Sequence, residues 1–127
     1  MKTIVTVLMT LTIAASALAG PFNEAAIELL EASPQEFNEK VEDMMLGALS
    51  VIRVQLVSKG VSIEEYEKLK CTWSPEEERT IIKSTKAEIY KPDGMQIDTA
   101  VAFFVISHCG KQYKQKQMEA EKSNKKK

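Results

Sequence analysis

Two cysteines, one histidine and a surplus of carboxylates are the reactive side chains of this 127-residue sequence. Cys71 and Cys109 lie 38 positions apart (109 minus 71). A catalytic dithiol usually pairs thiols about two residues apart, near a helix start that lowers one pKa. A distant, isolated pair in an oxidising compartment reads first as one structural disulfide, with redox activity behind it. Zinc ranks last, because a four-ligand site would need Cys71, the adjacent His108 and Cys109, and a carboxylate. His108 is also the sole candidate base, and on a helix its neighbours Ser107 and Cys109 point to different faces, leaving it without a nucleophile or an orienting acid. The acids Glu64, Glu65, Glu76, Glu77 and Glu78 occupy expected first helical turns, where the helix dipole favours negative charge. None is embedded in an apolar run that would raise its pKa for acid catalysis. The five glycines form no phosphate-binding loop. The sequence therefore predicts a non-enzymatic protein with no catalytic residues, no metal and no cofactor.

Helix-start signals organise the rest. Ser33-Pro34-Gln35-Glu36 and Ser74-Pro75-Glu76-Glu77 each supply a capping serine, proline at the first helical position and a glutamate able to close a capping box. Ser62 with Glu65 offers the same box without proline, while Asn23 and Asp98 are read as caps of the first and last helices. The expected fold is all-α, a small bundle of about five helices with one disulfide. Its centrepiece runs from Pro34 to Lys59, with Phe37, Val41, Met44, Met45, Ala48, Leu49, Val51, Ile52 and Leu56 on one broad face. From Met44 to Val57 the apolar residues continue round the circumference through Leu46, Val54 and Val57, so this segment is either buried centrally or keeps a face for a partner. Gly60 supplies the C-terminal cap. Lys91-Pro92-Asp93-Gly94 is a strong turn. It is read as joining two helices, and the alternative is a short β-hairpin around Pro92–Gly94. The apolar run Ala100 to Ile106 fits a buried helix or strand, and its polar continuation toward Lys122 favours one long helix, with Gly110 a candidate kink.

The beginning of the chain gives an address. Lys2, the apolar stretch Ile4 to Ala15 and the small-x-small site Ala17-Leu18-Ala19 have the layout of a secretory signal. Residues 1–19 are accordingly read as a signal peptide, 20–110 as a helical domain and 111–127 as a basic tail, helical or disordered. The expected product is secreted or periplasmic, without a transmembrane segment in its mature form. Residues 20–110 hold 16 acidic and 9 basic side chains, a net charge of −7, whereas residues 111–127 hold 2 and 7, a net of +5. An acidic body repels phosphate, so nucleic acid is not an expected partner. The tail, with Lys111, Lys114 and Lys116, is a candidate contact for an anionic envelope surface or an acidic protein, against the plainer reading of a solvated charge run.

Two further residues are candidates for partner recognition. Arg53 interrupts the apolar half of the long helix and is read first as half of an internal ion pair with a glutamate, otherwise as the polar centre of a binding face. Trp73 is read first as packing over the disulfide, otherwise as an exposed aromatic anchor.

Cys71-Thr72-Trp73-Ser74, the helical stretch that follows, and His108-Cys109-Gly110-Lys111 resemble the layout of the spackle proteins of T-even phages. That resemblance spans only Cys71 to Lys111 and implies an exported, single-disulfide helical inhibitor of a cell-envelope lysozyme. The fifty or so residues before Cys71 have no counterpart in that family. In composition the chain is also similar to the small acid-stress chaperones of the enteric periplasm, helical proteins with two cysteines and a lysine-rich end. That likeness implies exposure of apolar surface at low pH. The expected function is thus binding of another protein, with lysozyme inhibition, acid-stress chaperoning and envelope tethering through the tail as its specific forms.

Overall fold

The computed structural model describes residues 21–125. The expected signal peptide, Lys126 and Lys127 lie outside this range. Five helices are present among the described residues: α1 (Pro21–Ala32), α2 (Pro34–Ser58), α3 (Ile63–Leu69), α4 (Pro75–Ile89) and α5 (Ile97–Lys125). No strand occurs among the described residues, so residues 91–94 form a turn between helices and not a hairpin. Among the same residues, no helix is long and apolar enough to cross a membrane.

The helix ends follow local chemistry, with instructive exceptions. Ser74 forms the complete capping box: its hydroxyl accepts from the Glu77 amide at 3.1 Å, and its amide donates to Glu77 Oε1 at 2.9 Å. Ser62 accepts from the Glu65 amide at 3.1 Å. Ser33 makes no side-chain cap, although Pro34 follows it. Its amide donates to the Leu29 carbonyl (2.7 Å) and its carbonyl accepts from the Phe37 amide (3.0 Å), so one residue closes α1 and opens α2. That backbone shared between two helices replaces the serine cap. Asn23 is not a cap either, because α1 begins at Pro21 and Asn23 is buried, with Nδ2 donating to the Met95 carbonyl at 3.1 Å. Asp98 lies inside the first turn of α5, whose first bond runs from the Ala100 amide to the Gln96 carbonyl. Burial of Ile97 draws the chain into the helix before Asp98. Gly60 has φ +99°, the left-handed conformation expected after α2.

Packing is built on residues spaced by four. Ile97, Val101, Val105, Cys109 and Tyr113 form a buried row along α5. It joins Phe37, Val41, Met45, Ile52 and Leu56 of α2 and Ile81, Ile82 and Ile89 of α4 in one core. Each such side chain contributes about 1.5–3 kcal/mol when fully buried. Thr85, which with Asn23 is buried and polar, donates its hydroxyl to the Ile81 carbonyl at 2.8 Å. Burial, and after it the neighbouring Tyr66, push the Tyr113 phenol up to about 12, against the opposing effect of the Cys71 backbone. Helix α5 passes through Gly110 without interruption, and the packed interior reaches at least to Tyr113.

The long helix α2 is not buried all round. Leu46, Val51, Val54 and Val57 are exposed, with Val51 at 53% although its helical position placed it on the core face. Val51 stands at the margin of the buried arc that Ile52 and Leu56 continue. Of the two readings of Met44 to Val57, the exposed face is the one observed.

Replacing Cys71 and Cys109 by serine should lower stability by about 3–4 kcal/mol, the loop-closure contribution for a loop of this length. Urea unfolding with and without reductant measures it, and reductant should leave the double variant unchanged. At the α4–α5 turn, a Cβ on buried Gly94 would collide with the Glu88 carbonyl oxygen. Gly94→Ala should therefore cost about 1–3 kcal/mol in the same assay, the usual range for overpacking.

Candidate functional site

The disulfide region is the best-defined polar constellation in the fold. Cys71 lies in the segment between α3 and α4, and Cys109 lies midway along α5; they are bonded, with their Cα atoms 5.3 Å apart. One turn beyond, Gln112 holds Thr72 from both sides, accepting from its amide at 2.9 Å and donating to its carbonyl at 2.8 Å. His108 Nε2 is 2.9 Å from the same carbonyl. Its Nδ1 faces Glu77 Oε2 at 3.4 Å. Trp73 is half-buried against the core and meets the His108 ring edge-on, with centroids 6.4 Å apart. These contacts place Thr72 to Ser74 rigidly at the mouth of the α4–α5 interface.

Beside this clamp, α4 and α5 enclose an open groove of about 620 Å³. Arg79, Thr80, Lys83 and Ser84 line it from α4, while Phe104, Ser107, His108 and Lys111 line it from α5, with Glu76 and Glu77 at the start of α4. Helical spacing explains the grouping. On α4, residues 76, 80 and 84 share one row and 79 and 83 another; on α5, residues 104, 107, 111, 115, 118 and 122 follow one face. Glu77 is engaged by Ser74 and His108, whereas Arg79, Lys83 and Lys111 form no ion pair among the described residues. Three uncommitted cations thus face one uncommitted carboxylate, Glu76, on a body whose overall charge is negative.

The acids at this end of the fold respond oppositely to pH. The Ser74 backbone amide holds the Glu77 carboxyl below its ordinary value, helped by the Ser74 hydroxyl and by the charge of His108. Partial desolvation and then the charges of Glu78, Glu39 and Asp43 push Glu42 up.

The other recognition candidates are dispersed. Arg53 forms no ion pair with a glutamate among the described residues; its guanidinium lies over the Tyr66 ring, 5.9 Å from the centroid, because α3 presents an aromatic face and no acid at that position. With Ser50, Val54, Val57, Ser58 and Ile63 it borders a shallow apolar hollow at the α2–α3 junction. Lys114 is exposed on α5. Lys116 turns back to donate to the Lys70 carbonyl at 3.2 Å, which anchors the helix to the end of α3. Arg79, Lys83 and Phe104 are the groove residues that a linear reading leaves out. The one signal for them is that Arg79 is one of only two arginines in the chain.

Because the Glu77 pKa is depressed in the folded state, its charge stabilises above the ordinary glutamate value of 4.5 and that contribution disappears as pH falls through the lowered value. Glu77→Gln keeps the capping geometry, so it should be less stable than the parent at neutral pH, and the gap should close on acidification below pH 4.5. Glu42 has the reverse sign: its raised value means that Glu42→Gln should be at least as stable as the parent at neutral pH. Thermal unfolding across the acid range reads both. No family model, no curated protein and no solved structure matches this chain.

Proposed function

We propose that this is an exported, non-enzymatic protein that works by binding an acidic segment of another protein in the α4–α5 groove. The observation that carries this reading is the trio Arg79, Lys83 and Lys111, without ion-pair partners among the described residues and arranged around Phe104 in a concave surface. Arginine suits bidentate pairing with a carboxylate, and the lysines add positive potential on either side of it. Phe104 offers the ring face for an apolar side chain next to the acid. Concavity favours a protruding polypeptide over a flat lipid surface, and the acidic remainder of the molecule would be repelled by an anionic membrane. Lys114 and Lys122 extend the same positive strip along exposed α5.

The resemblance to spackle proteins makes a cell-envelope lysozyme the first partner to assay, with inhibition at near-stoichiometric amounts as the expected outcome. The structural reading is tested independently with fluorescent peptides. A glutamate-rich peptide containing one aromatic residue should bind, its lysine counterpart should not, and affinity should fall as salt rises. Arg79→Ala and Lys111→Ala should each weaken binding by roughly 2- to 5-fold, the range for partly exposed charge pairs. Equal affinity for both peptides, or no effect of either substitution, would exclude the groove.

A further inference from the structure

We propose that the exposed face of α2 pairs with the same face of a second copy of this chain, the two helices running antiparallel. Along this helix the solvent side carries Glu39, Asp43, Leu46, Ser50, Arg53 and Val57, all exposed. Their spacing of four, three, four, three, four sets them in one row along the helix, with Leu46 and Val57 as its apolar members. They span approximately 27 Å at 1.5 Å per residue, and α3 borders the row at one end, where Tyr66 meets Arg53 and Ile63 shares a hollow with Arg53 and Val57.

This seam is complementary to itself only when reversed. An antiparallel two-fold axis at Ala48 exchanges every pair of positions whose numbers sum to 96, and each of the six seam positions then meets another seam position. Leu46 faces Ser50 of the second copy, Asp43 faces its Arg53, and Glu39 faces its Val57. The first of these layers is repeated on both sides of the axis, placing a leucine against a small residue where the helices come nearest. The adjacent Gly47 has no neighbouring atom within 4 Å of where a Cβ would be, so nothing obstructs close approach there. Val54, exposed at 66%, flanks the seam and would lose solvent contact with it.

Charge selects this occupant. A parallel pairing would set Arg53 against Arg53 and Asp43 against Asp43, which repel. A foreign helix would need its own acid opposite Arg53 and its own base opposite Asp43, whereas a second copy carries both at the required separation. Tyr66 already restrains the Arg53 guanidinium at the edge of the seam, and no carboxylate among the described residues forms an ion pair with it. Isologous two-fold contacts are also the commonest closed assembly, since one patch satisfies both sides. The groove between α4 and α5 is lined by different residues, so the pairing leaves it available and presents two grooves per assembly.

Sedimentation velocity of the purified, oxidised protein over a wide concentration range tests this. The expected result is a monomer–dimer equilibrium that Leu46→Glu shifts to monomer without lowering the unfolding temperature of the dilute protein. Asp43→Arg and Arg53→Asp should each weaken the dimer by about tenfold, an effect typical of like charges brought opposite each other, and the double exchange should restore it to within a few-fold of the parent. A monomer at every concentration would overturn the proposal, as would a dimer indifferent to Leu46→Glu. A double exchange no better than either single reversal would refute the antiparallel register. Failure of this experiment leaves the peptide result for the α4–α5 groove unaffected, because no seam residue lines it.

Discussion

The tie between the segment following α3 and the middle of α5 sets the geometry of the rest. Cys71 is bonded covalently to Cys109, and Thr72 is held by Gln112 and His108, so two successive residues of an otherwise irregular stretch are fixed against one helix face. The covalent bond restricts the unfolded chain, while the hydrogen bonds define direction in the folded one. With Thr72 fixed, Ser74 is placed to cap α4, and the capping box determines where that helix starts and hence which of its residues line the groove. Arg79 and Lys83 acquire their positions from a chain of constraints that begins at the cysteines.

Much of the architecture was legible in the sequence because the signals were local. Ser74 with Glu77, Ser62 with Glu65, and Gly60 act within one turn, and each behaves as its residue type predicts. The buried rows of α2 and α5 were legible for the same reason, as a residue spaced by four from another shares its face whatever lies opposite. Where prediction and structure part, a distant residue decides. Asn23 spends its side chain on Met95, 72 positions away, and not on its own helix end. Arg53 finds the ring of Tyr66, an outcome that depends on how α3 folds back after Gly60. The exposure of Leu46, Val51, Val54 and Val57 follows from which side of α2 the other helices pack against, a property of the whole bundle and invisible in the composition of α2.

The candidate groove was half legible. Lys111, Trp73 and His108 stand out in the sequence by type and by proximity to the cysteines. Arg79, Lys83 and Phe104 do not, since a cation on an amphipathic helix is ordinarily just solvated. Their significance comes from two helices meeting with their polar margins aligned, and from Glu77 being engaged by Ser74 and His108, which among the described residues leaves Glu76 as the one uncommitted carboxylate facing three cations.

The linkage from Cys71 to Cys109 also gives the chain a covalent ring. Inside it lie all of α4, the exposed turn at residues 91–93 and the first half of α5. A protease that nicks that turn opens the ring without releasing anything, so both pieces stay joined and weigh together under oxidising conditions. The nicked product differs by one molecule of water and by two new chain ends, and it comes apart only when a reductant reaches a bond that is itself buried.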